Sequence, residues 1–499
     1  MANLASTYCD EGRWTEAEEL QMQEIETRKQ VLGPEHPDTL SSMSELAAVY
    51  WKQGRYKEAE ELFLQVLETR KQVLGPEHLD TLSSMSDLAS VYWKQGRWKE
   101  AEELFLQVLE ARKQVLGSQH LDTISSVCNL ASTYWKQGRW KEAEELFLQV
   151  LETRKQALGS VHPSTLTSMS SLASIYREQG RLMESEDLFL QALETMKQVQ
   201  GPEHPDTMTT MGDLAYTYMQ QGRWKEAEEL ETQVIEAMKQ VLGPEHPSTL
   251  TCMGNQACMY MQQGRWKEAE ELFLQVLETR KQALGSAHPE TLSNMGNLAS
   301  TYWKQRRWKE AERLFVQVLE TMKQALGPAH PDTLTSMTNL ACTYRHQGRL
   351  KESEELEVQA MKTRTQILGS THPSTLTCMG NLACTYRQQG RWKEAEELEV
   401  QVMETRKQVL GPEHPDTLSS MANLAHNLNG LNKHQEAIAL MEGCIKLCSE
   451  RLGPNHPQTL SSIATLNKWQ AWNPLAGIRD VISETRAMFG RLFAPKQDA

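Results

Sequence analysis

The chain has 499 residues, 39% of them hydrophobic and 24% charged, with a net charge of −14 at pH 7. At that length a single compact core would normally have divided. The acidic balance, with no basic patch or tail, argues against nucleic acid as a partner, because phosphate-backbone binding needs clustered Lys and Arg. No run approaches the ~20 consecutive apolar residues of a membrane span. Met1 to Cys9 lacks the basic-then-apolar pattern of a secretory signal, so cytoplasmic residence is the default expectation. The nine cysteines do not fall at framework spacings and read as small buried or groove-lining thiols in a reducing compartment.

In chain order the dominant feature is a period. Eleven of the fourteen histidines, from His36 and His78 to His414 and His456, recur every 42 residues. A Gly-Arg pair keeps step from Gly12-Arg13 to Gly390-Arg391, with Arg306 once replacing the glycine and Asn432-Lys433 as the degraded last copy. The spacing defines a partial repeat over 1–33, ten full repeats over 34–453 and a last first-type helix over 454–474. Residues 475–499 are expected to form a capping helix and tail, because Ile478, Val481, Ile482, Met488, Phe489 and Phe493 recur at helical spacing. A helix on a partner or a membrane surface is the other reading of that segment.

Within one repeat, Gly33 to Thr39 is a breaker cluster. Gly33 suits the left-handed position that ends a helix, Pro37 suits the first helical residue, and Asp38 complements the dipole. Leu40, Met43, Leu46, Ala47 and Tyr50 then mark a first helix. Gly54-Arg55 turns the chain, and Ala59, Leu62, Phe63, Val66 and Leu67 mark a second helix to about Leu74. Nothing reads as strand. A pair this small cannot cover its own apolar stripe, so neighbours must stack, giving an all-α, right-handed α-solenoid of antiparallel helix pairs.

The order Leu46-Ala47, Tyr50, Gly54, Ala59, Phe63 resembles the tetratricopeptide signature. The unit length and the His-Pro-Asp-Thr joint are similar to the 42-residue repeats of kinesin light chains and of the arrays that end many fungal NLR-type (STAND-class) receptors. The run Leu382-Ala383-Cys384-Thr385-Tyr386-Arg387-Gln388-Gln389-Gly390-Arg391-Trp392-Lys393-Glu394-Ala395 is especially like the fungal arrays. The resemblance covers about residues 1–468 and implies binding of a protein or extended peptide in the concave groove lined by first helices. Two parts of those families are missing. The chain opens inside a repeat, where kinesin light chains carry a coiled coil, and it has no Gly-x-x-x-x-Gly-Lys-Ser/Thr loop for a nucleotide-binding switch domain. This chain itself therefore supports neither a kinesin heavy chain as partner nor an upstream switch, and an isolated or truncated array is expected. The alternative role is a kinesin-light-chain-like cargo adaptor, which would make it cytoskeleton-associated.

Comparing repeats with one another separates fixed scaffold from variable stripe. The variable positions lie three and four apart on the first helices, on one face. They include Trp51, Lys52, Trp93, Lys94, Trp135, Lys136, Arg177, Tyr216, Met219, Met261, Trp303, Arg345 and Arg387. An amide position beside them, Asn129, Asn297, Asn339 and Asn381, could donate to and accept from a peptide backbone. Trp and Arg favour interface hot spots and Met suits adaptable contacts, so this stripe is the expected partner-binding groove. The competing reading has the tryptophans packing between helices.

No catalytic residue, metal site or cofactor is expected. Each loop histidine stands alone where zinc wants three or four convergent ligands, which leaves loop packing or helix capping as its role. Cys444 and Cys448 lack a second ligand pair. The repeated Lys-Glu-Ala-Glu-Glu runs read as a solvated helix face, since catalytic carboxylates need a singular, desolvated pocket. One core position varies oddly: Phe63, Phe105, Phe147, Phe189, Phe273 and Phe315 give way to Glu231, Glu357 and Glu399. The glutamates are expected to reach solvent, and Gln256, in place of a core leucine, to mark a soft spot. Alanine recurs at 47, 89, 131 and onward to 425, where helices must approach closely. Replacing Ala131 with Leu is expected to cost about 1–3 kcal/mol through overpacking; an unchanged urea midpoint would show that the site has room.

Overall fold

A computed structural model describes residues 13–451, 453, 454 and 456–471, with 4, 5, 7 and 8 ahead of them. The expected capping segment 475–499 lies outside the described residues. Among those described, all regular structure is helical, from Trp14–Leu32 to Pro457–Ala471, and there is no strand. The chain divides into two compact bodies, 1–389 and 390–499. Repeat 1 is counted from Pro34, with first helix Pro37–Lys52 and second helix Tyr56–Val73, and later repeats follow in register.

The joint between repeats is built mostly by side chains that the period repeats without change. Gly33 ends the preceding helix at φ 95°, a conformation glycine adopts without penalty. His36 is the N-cap: its Nδ1 accepts from the Asp38 amide at 3.2 Å. Pro37 fills the first helical position, and the Thr39 hydroxyl donates to the Gly33 carbonyl at 2.9 Å. The same cap recurs at His78, His120, His162, His204, His246, His288, His330, His372 and His414. The histidine ladder is therefore a row of helix caps.

Adjacent repeats share an apolar core. Ala47, Ala59, Phe63 and Leu67 of repeat 1 pack with Leu82, Met85, Leu88 and Val91 of repeat 2. In the first body the pattern recurs down to Ala299, Phe315 and Leu319 against Leu334, Met337 and Leu340. In the second body Leu418 packs with Cys444 and Cys448, and Leu424 and Leu428 with Ala437 and Trp469.

A polar clamp sits beside each shared core. Arg55 Nη1 donates to Glu18 at 2.9 Å and Nε to Glu58 at 2.8 Å, with the guanidinium 4.2 Å above the Tyr50 ring. Gln53 reaches back to Glu18 at 3.0 Å. Arg97 with Glu60, Arg139 with Glu102 and Arg181 with Glu144 repeat it. The Lys-Glu-Ala-Glu-Glu run is thus only partly a solvated face, because its second acid joins one repeat to the next.

Within the first body the chain also meets itself six repeats on. His288 Nε2 lies 3.2 Å from the Lys52 carbonyl, His330 Nε2 2.9 Å from that of Lys94, and His372 Nε2 3.0 Å from that of Lys136, each 236 residues apart. Nδ1 accepts the cap bond, so Nε2 carries the proton and donates. Trp14 stacks on His288 and Trp98 on His372, both at 5.7 Å between ring centres. Burial holds His288 and His372 below the ordinary histidine range, against the opposing pull of their carbonyl bonds.

The sign of the pH dependence follows. A histidine depressed in the closed state contributes fully above the ordinary value near 6.5 and loses that contribution as pH falls through the lower one. Acidification from pH 7.5 to about 5 is expected to loosen these rungs and raise the radius of gyration seen by X-ray scattering. His288→Asn with His372→Asn keeps a good cap and should be expanded already at pH 7.5. Identical scattering for both proteins at both pH values would refute the reading.

Candidate functional site

The four tryptophans of the stripe are partly buried. Trp51, Trp93, Trp135 and Trp303 each pack one flank on the core shared between repeats. The indole nitrogens of Trp51, Trp93 and Trp303 are enclosed without a hydrogen-bond partner. Lysines thread between the rings. Lys94 Nζ lies 5.2 Å from the Trp51 ring and 5.6 Å from that of Trp93, while Lys136 Nζ lies 5.5 Å from Trp93 and 4.6 Å from Trp135. Cation–π attraction thus links three consecutive repeats into one ribbon. Lys304 repeats the contact on Trp303 at 5.3 Å, and His346 meets that indole edge-on at 4.8 Å. Burial pulls the Lys136 ammonium below its usual range, with Glu178 opposing.

Lys52 is exposed, and with Trp14, Trp51, Lys94, His288 and Asp332 it borders a cavity of about 590 Å³ where repeats 1 and 2 meet repeats 7 and 8. This contact joins parts of the chain far apart in sequence, and no single repeat announces it.

The arginines behave differently. Arg177 is buried and donates to the Asp213 carbonyl at 3.1 Å and its carboxylate at 3.3 Å, under the Tyr216 ring at 4.9 Å. Arg345 donates to Glu357 at 3.1 Å and to the Asn381 carbonyl at 2.9 Å. Both reach into the following repeat and are engaged inside the protein. Arg387 donates to Cys384 Sγ at 3.5 Å. Met219 is buried and Met261 half-buried, while Tyr216 is exposed. Asn297 donates to Cys258 Sγ at 3.7 Å. The side-chain amides of Asn129, Asn339 and Asn381 are half-buried and bond no other described residue. The structure therefore brings the tryptophans and lysines of repeats 1–3 together and turns two arginines inward.

The glutamates at the phenylalanine position do not reach solvent: Glu231 is 5% exposed, Glu357 0% and Glu399 2%. For Glu357 the cause is compensation. Arg345 and the Thr385 hydroxyl, at 2.6 Å, satisfy it where other repeats carry Trp and Phe. The joint change at both positions, Arg345 with Glu357, was the signal in the sequence. Glu231 has no such relief. The residues equivalent to Arg345, Ser353 and Thr385 are Met219, Ala227 and Met259, and Glu231 Oε2 is buried without a partner. Burial, aided by Asp213, pushes its carboxyl up to about 8. Gln256, the expected soft spot, is half-buried and reaches Thr232 at 3.5 Å.

A carboxyl raised in the fold stabilises below its unfolded value and loses that contribution as pH rises through the folded one. Glu231→Gln should therefore match wild type near pH 4.5, gain over it by about 1–3 kcal/mol as pH rises from there toward 8, and hold that gain above 8. Glu357→Gln, which strands Arg345, should lose stability at every neutral pH. Paired urea titrations check both, and a pH-independent difference at Glu231 would contradict the assignment.

The tetratricopeptide repeat family matches this chain in overlapping windows over residues 1–72, 42–114, 80–156, 122–182, 164–240, 213–282, 255–324 and 290–366. A second profile of the same description matches 375–416 and 417–458. No curated protein matches. Among solved structures, a putative kinesin light chain from Podosopora anserina with nearly identical TPR-like repeats is 34% identical over 41% of this chain and 98% of its own, with a TM-score of 0.36. BtubC (BKLC) from P. vanneervenii is 16% identical over 47% and 94%, with a TM-score of 0.38. A Rap protein complexed with competence and sporulation factor is 11% identical over 74% and 99%, with a TM-score of 0.49. With its helix pairs, shared cores and family matches along nearly the whole period, the chain belongs to the tetratricopeptide repeat family.

Proposed function

We propose that the chain is a protein–protein interaction scaffold, the recognition array of a receptor or adaptor, and that the tryptophan–lysine ribbon of repeats 1–3 holds an extended protein segment. The supporting observation is the contrast within each first helix. The cap, core and clamp residues repeat almost unchanged, while the stripe that carries the ribbon changes along the array, the Trp-Lys pair of repeats 1–3 giving way to Arg177-Glu178, Met219-Gln220 and Arg345-His346. Constraint without variation describes the scaffold, and variation on a fixed frame describes a reading surface.

The ribbon's chemistry suits one kind of ligand. Indole flanks offer flat apolar contact, and the ammonium groups of Lys52, Lys94 and Lys136 offer positive charge on an otherwise acidic chain. An acidic segment carrying an apolar side chain meets both. With the arginines engaged internally, the lysines supply the charge discrimination.

Replacing the tryptophans would damage the core they lean on, so the lysines make the better test. Lys94→Glu with Lys136→Glu should leave the helical circular dichroism unchanged and weaken acidic peptides recovered from a peptide array at least about tenfold, a change of 1.4 kcal/mol. Binding of the same peptides within twofold of wild type would exclude the ribbon as the reading surface.

A further inference from the structure

The contact six repeats apart has two complementary edges. One is a loop edge, the capping histidine with the residue after it. The other is a turn edge, the last carbonyl of a first helix with the glycine that follows. Where they meet, the fit is close: a Cβ at Gly54, Gly96 or Gly138 would lie within 2.7 Å of the ring of Pro289, Pro331 or Pro373. The docked His330 side chain is 6% exposed.

The same edges stand open elsewhere in the first body. The side chains of His36, His78 and His120 are 40%, 45% and 45% exposed, and their Nε2 atoms have no acceptor among the described residues. Leu79 and Leu121, in the place of the docked prolines, are 41% and 51% exposed. At the turns of repeats 6 and 8, nothing lies within 4 Å of where a Cβ of Gly264 or Gly348 would be. Those glycines and Arg306 between them are exposed.

We infer that the open loop edge of repeats 1–3 docks on the open turn edge of repeats 6–8 of a second copy of this chain, continuing between molecules the interface already made within one. The residue types also limit the register. Arg306 is the one non-glycine among these three turns, held at φ 63°, and its Cβ would meet the ring carbons of a docked proline. Pairing Pro37 with Gly264 brings Leu79 to Arg306 and Leu121 to Gly348. Leucine has no ring on its nitrogen, so the exceptional turn meets a loop that can accept it. Shifting by one repeat toward the C-terminal turns would drive Pro37 into Arg306. The two edges differ, so the contact is heterologous and adds copies in an open row.

The test uses full-length chain in sedimentation velocity. Leu79→Asp with Leu121→Asp spoils only the loop edge, and an acid at the first helical position suits the dipole. Gly264→Arg spoils only the turn edge and copies a residue the equivalent turn already holds. Wild type should grow in mass with concentration, and each variant should stay at one chain. An equimolar mixture of the two variants should stop at a pair, because it retains one good edge of each kind. A wild type that stays monomeric, a variant that associates as wild type does, or a mixture that fails to pair would each overturn the proposal.

Discussion

A helix pair in this chain has an apolar face that only the next pair can cover. Phe63 and Leu67 have no use for each other without Leu82, Leu88 and Val91 of the following repeat. Burial of a large apolar side chain contributes about 1.5–3 kcal/mol, while ordering each backbone residue costs roughly 1–2 kcal/mol, so an isolated 42-residue pair has little margin. Stability is then a property of interfaces, and the chain can be long without any single large core. The Arg55–Glu18 type of clamp follows the same logic. It contributes modestly where half-exposed, but it fixes the angle at which the next pair arrives.

Much of this was legible because it is local. The cap, the turn glycine and the helical spacing of apolar residues each act within a few positions, and repetition multiplies a weak signal. The stripe residues were legible as a set, since they vary where the rest does not. Their fates were not. Arg177 and Trp135 occupy equivalent positions, yet one is drawn into the following repeat by Asp213 and the other rests in a row with Lys136. A charged residue at a core position suggests exposure when read alone. Glu357 is buried because its partner changed with it, and that inference needs pairs of positions rather than single ones.

Glu231 shows the cost of an incomplete exchange. Its repeat took the acid without the arginine, the serine or the threonine that accompany it at Glu357. An unpaired carboxyl in such a place is held neutral by burial and trades stability for nothing visible in its own repeat. Interfaces of this kind are where a solenoid first opens. Met219, Met259 and Cys258 surround a joint softer than the jigsaw of Phe and Leu on either side.

The contact six repeats apart arises from a different kind of accumulation. Each joint sets a small rotation between neighbours, and near-identity of the joints lets small rotations sum coherently until repeat 7 returns to repeat 1. Nothing in one repeat encodes that return, yet it imposes requirements on single residues. A side chain at Gly96 has nowhere to go while Pro331 lies against it, whereas the equivalent turn at residue 306 tolerates arginine because no ring occupies that space. Turn glycine is needed twice over in the early repeats, first for its positive φ and again for the close approach. At the later turns of Gly222, Gly264 and Gly348 nothing within the chain lies within 4 Å of a Cβ, so only the first need applies there, and Arg306 meets it at φ 63°. A sequence position that looks uniform is therefore under different constraints along the array, and the departures from uniformity mark which surfaces are covered and which remain available.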